Sequence, residues 1–425
     1  MLGVLISLLG IMLAVGIPIY VALAGPSLVA IVIKDIPPLL FMQRMFGGID
    51  RFSLMAIPFF ILAANIMGKG GMSRRILALA NVLVGRFYGG TAIGSTLACL
   101  LFGALSGSAP ATVVAIGSIT YPALLENGYG KKFSMGLVTS ASSLAIIIPP
   151  SITMIVYAAT TGTSVGELFM AGIGPGIFMG LCIMAYSVWY ARKNDIRSTV
   201  HVPPGQVWIA IKDSSWAMGV PIIIIGGIYA GVFTPTESAT VAAVYALIVG
   251  LFVYKELDYK SALQVCISSA LTTAQVMILV AAASVLSWIL TVNQTQLILQ
   301  QAIEPFLSLP WAVLTIMNIM LLIAGMFMDA VPFTLLLAPL FVPIAHVIGL
   351  DLIHLGIIFT MNGAIGMFSP PFGLNIFVGM ATYKEPFNKI AWSVVPFIII
   401  SIFALLVVTY VPELSLWIPH RIYGN

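Results

Sequence analysis

A carboxylate, Asp329, lies inside one long apolar run, and Ser106, Ser108, Ser142 and Ser143 lie inside others. An ionisable group at membrane depth is expensive and by default marks an ion or substrate pathway. Close to these residues the chain is interrupted twice by Pro-Pro, at Pro149-Pro150 and at Pro370-Pro371. Each proline removes a backbone donor and clashes with the preceding turn, which leaves upstream carbonyls without partners. Ala145, Ile147 and Ile148 carry such carbonyls at the first break, and Gly366, Met367 and Ser369 at the second. Carbonyls, hydroxyls and a carboxylate together make an oxygen-only ligand set, which suits a hard cation such as Na⁺. The helix N-termini that follow the breaks, at Ser151 and at Phe372, suit an anionic group instead. Ser108, Ser151, Thr153, Asn362 and Asn375 are the polar side chains placed to line an anion site; helix-to-helix hydrogen bonding is the alternative for each. For Asp329 the alternative is a cap on a helix start, a role compatible with touching a cation.

A glycine-rich turn followed by proline precedes each break. GALSGSAPAT (103–112) precedes the first and GMFMDAVPFT (325–334) the second; Pro110 and Pro332 lie 222 positions apart, Pro149 and Pro370 221. Matching breaks in matching apolar segments of two halves point to the binding site of a membrane carrier. Residues 91–125 carry no charge yet hold Gly103, Ser106, Gly107, Ser108 and Pro110 at their centre. A helical hairpin that enters partway and returns to the same face accounts for that pattern. Ser108 is expected to cap its second arm, with Pro110 in the first turn. In the second copy Gly325 opens the turn and Asp329 takes the capping place.

These elements must sit in a bilayer. The chain is 60% hydrophobic and 8% charged, with a mean hydropathy of +1.10, against roughly 25% charged residues in a soluble domain. Runs such as 2–33, 215–232 and 391–410 exceed or approach the ~20 residues that one crossing needs. The fold class is therefore all-α and polytopic; the alternation of a transmembrane barrel is absent. The first run lacks a basic leader and reads as a membrane segment, with Gly25-Pro26 as the place for a break. A formal charge of +4 carried in loops implies no nucleic-acid partner. Cys99, Cys182 and Cys266 show no metal or disulfide spacing. The G-x-S-x-G match at 162–166 lies in a short connection without a preceding strand, which argues against a hydrolase. Glu237, after Thr234-Pro235-Thr236, reads as the carboxylate of a capping box.

Lys and Arg gather at Lys69/Arg74/Arg75/Arg86, Lys131/Lys132, Arg192/Lys193/Arg197/Lys212, Lys255/Lys260 and Lys384/Lys389, and these loops are assigned to the cytoplasm. Connections 158–167, 231–237, 293–310 and 342–354 contain neither residue and belong outside. Lys34, Arg44 and Arg51 fall in an outer connection, against the rule. Crossings at 133–157, 168–190, 215–232, 238–254 and 261–292 separate the two motifs. Their odd number makes the repeat inverted, with two re-entrant hairpins and two broken helices. The expected division is 1–88 and 216–292 as scaffold, 89–191 and 293–425 as transport halves, and 192–215 as a cytoplasmic linker. Segment 73–85 is short and amphipathic, and reads as an interfacial helix or as an arm bracing one domain.

With these residues in hand, the chain resembles the large membrane (M) subunit of tripartite ATP-independent periplasmic (TRAP) transporters. The resemblance spans nearly the whole chain and rests on 50–67 (DRFSLMAIPFFILAANIM), 103–109, 148–157 (IPPSITMIVY), 233–242 (FTPTESATVA), 325–332 and 369–378 (SPPFGLNIFV). The Pro-Pro signature alone also fits stand-alone citrate and dicarboxylate carriers; a channel is a more distant alternative. The resemblance implies an elevator mechanism, Na⁺ coupling and a multi-pass place in a bacterial inner membrane. It also implies a small membrane subunit (Q), expected as a separate chain, and a periplasmic binding protein (P) that delivers an organic acid. Sialic acid and C4-dicarboxylates are the leading acids. Carried over by motif, one Na⁺ site falls between 106–108 and 142–149, using Ser106, Gly107, Ser108, Ser142, Ser143 and Ile147. The other falls between 325–329 and 366–370, using Gly325, Asp329, Gly366, Met367 and Ser369. Ser106-Gly107 in one copy faces Met328-Asp329 in the other, so the two sites are not expected to be equivalent.

Overall fold

The computed structural model describes residues 2–84, 88–196, 205–295, 297–298, 301, 304–306 and 309–424, and its regular structure there is entirely helical. The chain runs α1 (Leu2–Ala14), α2 (Ile19–Ile33), α3 (Leu39–Ile49), α4 (Ala56–Lys69) and α5 (Met72–Val84). A first hairpin follows, α6 (Gly90–Ser106) and α7 (Ala109–Glu126). A first broken pair, α8 (Lys131–Ala141) and α9 (Ile152–Thr161), is joined through a 3-10 turn at Ser142–Ile146. Then come α10 (Val165–Lys193), α11 (Gln206–Pro221), α12 (Pro235–Ile248) and α13 (Tyr259–Val292). The second hairpin is α14 (Pro310–Gly325) and α15 (Ala330–Val347), and the second broken pair α16 (Leu352–Gly366) and α17 (Leu374–Tyr383). α18 (Phe387–Tyr410) and α19 (Glu413–Tyr423) close the chain. Arg86, Arg197 and His201, and parts of the predicted linker and of connection 293–310, lie outside the described residues.

Among the described residues, eight helices are long and apolar enough to cross a membrane, including α10, α13 and α18. By contrast α6, α9, α14, α16 and α17 are apolar but only 10–17 residues long, too short at ~1.5 Å per residue to span a ~30 Å hydrocarbon core. These are the first arm of each hairpin and three of the four halves of the broken helices. The run 2–33 breaks earlier than at the expected Gly25-Pro26. Gly16, with φ of +81°, ends α1 and Pro18 starts α2, while Pro26 is buried inside α2. Pro26 can stay there because neighbouring groups in a membrane bundle take over the freed backbone partners.

Several helix starts are sealed by side chains, one of them the capping box expected at Glu237. Thr234 and Glu237 form the capping box of α12, with the Glu237 carboxylate accepting from Thr234 N at 2.8 Å. Ser164, from the G-x-S-x-G match, caps α10 by accepting from Glu167 N at 3.3 Å. Asp258 caps α13 and Asp351 caps α16.

The two repeats exchange arms. The first hairpin packs on the turn after α8, and the second hairpin packs on α16. Across the halves, α9 of the first repeat packs on α15, and α17 of the second packs on α7. That reciprocal exchange is what an inverted repeat produces. Where α9, α15 and α16 meet, Phe359 gathers Tyr157, Phe333 and Phe341 at ring separations of 5.7, 5.7 and 5.8 Å. The Tyr157 hydroxyl is satisfied by the Leu352 carbonyl at 2.9 Å. A second group forms around α13, which contacts α2, α3 and α4, while α4 also packs on α12. The amphipathic α5 bridges α6 and α11. Arg74 and Arg75 each lie 2.7 Å from Glu256, Arg75 also reaches Asp213 at 3.2 Å, and its guanidinium covers the Tyr254 ring at 3.7 Å. The segment 73–85, read as an interfacial helix or a bracing arm, is helical over Met72–Val84 and makes these contacts.

Candidate functional site

Each hairpin approaches its break closely at glycines, and at the second break the Phe327 ring of the tip also packs on Phe372 at 5.4 Å. A Cβ on Gly103 would come within 2.5 Å of the Ala145 Cα, and one on Gly107 within 2.8 Å of the Pro150 carbonyl. In the second repeat a Cβ on Gly325 would sit 3.2 Å from the Asn362 carbonyl, and one on Gly366 would fall onto the Gly325 backbone. Gly103 pairs with Ala145 as Gly325 pairs with Gly366, the same contact made twice at the spacing of the repeat. Both Pro-Pro bonds are cis. In lipid, small residues let backbones approach closely and gain packing that apolar burial cannot supply there.

At the first site Gly107, with φ of +56°, turns the chain from α6 into α7. Ser106 is buried, and its hydroxyl lies 3.2 Å from the Thr112 hydroxyl. Ser108 holds the N-cap position of α7, and proline occupies the first turn, as expected. Its side chain makes no cap hydrogen bond, which corrects the expected capping role. The Thr112 hydroxyl takes the Ser108 carbonyl at 2.8 Å instead, and the Ser108 N–H turns back to the Ser106 hydroxyl at 3.4 Å. Ser142 and Ser143 are fully buried and donate to the carbonyls of Val138 and Ser140, each at 2.7 Å. Their oxygen lone pairs remain to accept or to coordinate. The Ile147 carbonyl lies against Gly172 of α10, where a Cβ would meet it at 2.6 Å. Ser151 caps α9 by accepting from Met154 N, and Thr153 is buried one turn inside.

At the second site Asp329 is half-buried and caps α15, its carboxylate accepting from Ala330 N at 2.8 Å. The second half-helix begins at Leu374 rather than Phe372: Phe372 is exposed, and Gly373, with φ of +24°, makes the turn. Met367 O already accepts from Asn375 N at 2.8 Å, and Ser369 donates to Ile365 O at 2.7 Å. Asn362 donates to Asn318 Oδ1 at 2.7 Å and to Ile358 O, and Asn375 donates to Thr139 O at 3.4 Å in the other repeat. Both asparagines are fully buried, and the Oδ1 atom of each lacks a donor. A buried acceptor without a partner is costly, and a bound cation or a substrate N–H or O–H would satisfy it. The oxygen chemistry at this break therefore fits Na⁺.

Two groups escaped the sequence reading. A cavity of about 650 Å³ opens at the first tip, where Ser106, Ser108 and Ile152 face Asn65, Lys69 and Thr272 of α4 and α13. Lys69 thus puts a cation at a site whose centre showed none. Asn318, an isolated amide in an apolar run, also joins Asn362 to a buried chain. Asn318 donates to the Thr409 hydroxyl at 3.1 Å, while His354 reaches Thr409 O at 3.2 Å and the Ser415 hydroxyl at 2.6 Å. A carbonyl only accepts, so the proton on His354 Nε2 points at Thr409.

Comparison with known proteins agrees with this architecture. Residues 5–414 match the family model described as the tripartite ATP-independent periplasmic transporter, DctM component. The isethionate TRAP transporter permease protein DctMQ of Oleidesulfovibrio alaskensis is 40% identical over 98% of this chain, and the chain spans 66% of that protein's length. The C4-dicarboxylate TRAP transporter large permease protein DctM of Pseudomonas aeruginosa is 43% identical over 89% of this chain and 88% of its own. The ectoine/5-hydroxyectoine TRAP transporter large permease protein UehC of Ruegeria pomeroyi is 38% identical over 88% of each chain. The crystal structure of the Alcanivorax borkumensis YdaH transporter shares the fold, with a TM-score of 0.61, 11% identity and coverage of 89% and 88% of the two chains. With the sequence motifs, the paired hairpins and breaks and these matches in agreement, the chain belongs to the DctM family of large permease components of tripartite ATP-independent periplasmic transporters.

Proposed function

We propose that this permease imports a small organic anion across a bacterial inner membrane by Na⁺ symport, as the large subunit of a complex with a small membrane subunit and a periplasmic binding protein. The observation that carries the reading is the repeated glycine contact between tip and break, with buried hydroxyls beside one copy and the orphaned Asn362 and Asn375 acceptors beside the other. Ser106, Ser108, Ser142 and Ser143 serve one cation region, and Gly325, Asp329, Gly366 and Ser369 the other. The 650 Å³ cavity bounded by Ser108, Asn65 and Lys69 takes the anion. Residues 89–191 and 293–425 move as one body against a scaffold of 1–88 and 216–292, an elevator. A C4-dicarboxylate and isethionate, after which two relatives are named, are the first acids to assay beside sialic acid. Two Na⁺ with a monoanion carry one net positive charge inward, a gain of about 2.3 kcal/mol per 100 mV.

Reconstitution with the partner subunits tests this directly. An imposed inward Na⁺ gradient should drive accumulation of labelled substrate, an inside-negative potential should accelerate it for a monoanion, and K⁺ should not replace Na⁺. Equal uptake in Na⁺ and K⁺ would refute the symport.

A further inference from the structure

The arginines that broke the charge rule line a groove on the outer face. Three adjoining cavities of about 410, 160 and 80 Å³ share Ser287 of α13. Arg44 and Arg51 enter from α3 and the turn after it, Thr160 from the end of α9, and Ser287 and Thr291 from α13. The groove is bordered by stretches from 158–167, 293–310 and 342–354, the connections without Lys or Arg that belong outside. Its cations are held in place. The Arg44 guanidinium lies 5.0 Å from the Trp288 ring centroid, and the Arg44 carbonyl accepts from Ser284 at 3.1 Å. Arg51 donates to the Ala159 carbonyl, near the end of α9. Among the described residues no carboxylate lines the groove.

We propose that this groove is an outer capture site for the carboxylate or sulfonate of the arriving anion, with Arg44 and Arg51 as its charge and Ser287 as its hydroxyl donor; Thr291 and Thr160 line it while donating to the Ser287 and Val156 carbonyls at 3.0 and 2.8 Å. A guanidinium presents five N–H donors in a fork that matches such groups. A cleft of one charge sign raises the local concentration of an opposite ion and its on-rate. The site lies between α9 and α13, on the opposite face from the cavity that reaches Lys69. It therefore holds the anion after release by the binding protein and before the broken helices receive it. The inference rests on the proposed import of an anion, and extends it to a second, outer site.

The test uses the reconstituted complex with labelled succinate and isethionate as probes. Arg44→Gln should raise KM by roughly tenfold at low ionic strength with little change in maximal rate. Arg44→Lys should recover most of that loss, and the salt dependence of the wild-type KM should flatten in Arg44→Gln. Arg51→Gln also loses the Ala159 contact, so a charge-only readout is added. In a Cys266→Ser background, Arg44→Cys labelled with a positively charged methanethiosulfonate should regain low KM, while a negatively charged one should worsen it. The effect should be the same in phosphatidylcholine liposomes with and without phosphatidylglycerol; an effect confined to the anionic lipid would make the groove a headgroup site and overturn the proposal. Wild-type uptake with Arg44 variants unchanged in KM and salt dependence would overturn it while leaving symport intact. Absence of Na⁺-driven uptake by the wild type would instead refute the proposed function.

Discussion

Asp329 is an observed cap that the proposed function also assigns to a cation region. Its carboxylate caps α15 from a half-buried turn, and asparagine caps about as well as aspartate, whereas alanine loses about 1 kcal/mol. Asp329→Asn should therefore leave melting of the purified protein nearly unchanged yet shift the Na⁺ concentration that half-saturates uptake. An unchanged Na⁺ titration would leave Asp329 as a cap alone. Glu385 lies in the connection between α17 and α18, between Lys389 at 2.8 Å and Lys131 at 3.1 Å. Its bonds to Lys389 and Lys131 hold its carboxyl below the ordinary carboxylate range. A depressed folded value means the stabilisation is complete above the unfolded pKa of roughly 4.3 and fades as pH falls through the folded one. Melting temperatures of wild type and Glu385→Gln should thus differ near neutral pH and converge in acid; a constant offset across that range would dismiss the linkage. At this scale the sequence was a partial guide. Asn362 and Asn375 were legible because amides stand out beside a Pro-Pro break. Asn318 and Lys69 were not singled out as site residues, because their partners lie on helices distant in sequence.

Among the elements, the glycine contacts decide how tightly each tip seats. Gly366 has backbone on its open side, so Gly366→Ala must displace α14 or α16, an overpacking cost of typically 1–3 kcal/mol. Gly325 has a little more room. Gly366→Ala should abolish Na⁺-driven uptake and lower the melting temperature more than Gly325→Ala; equal effects would contradict the geometry. Hairpins, breaks and their inversion were readable from proline spacing and loop charge, since both follow from what a bilayer forbids. The start of α17 was misplaced by two residues because Gly373, not the proline pair, sets it. The idle Ser108 cap goes with Pro110 at the second helical position, which removes one of the two N–H groups a cap accepts from. The bracing role of α5 depended on Glu256 and Asp213, which no local pattern ties to Arg74 and Arg75.

For the whole molecule, the exchange of arms between repeats binds both hairpins and both breaks into one packed body beside the helices around α13. In the proposed elevator this body slides past that scaffold, and the Arg51 contact with Ala159 breaks as it does. The most direct measurement is the distance distribution between spin labels at Thr160→Cys on α9 and Ser287→Cys on α13, in a Cys266→Ser background. The account predicts at least two distances whose populations shift when Na⁺ and substrate are added. A single distance, unchanged by either, in protein that still transports would contradict it.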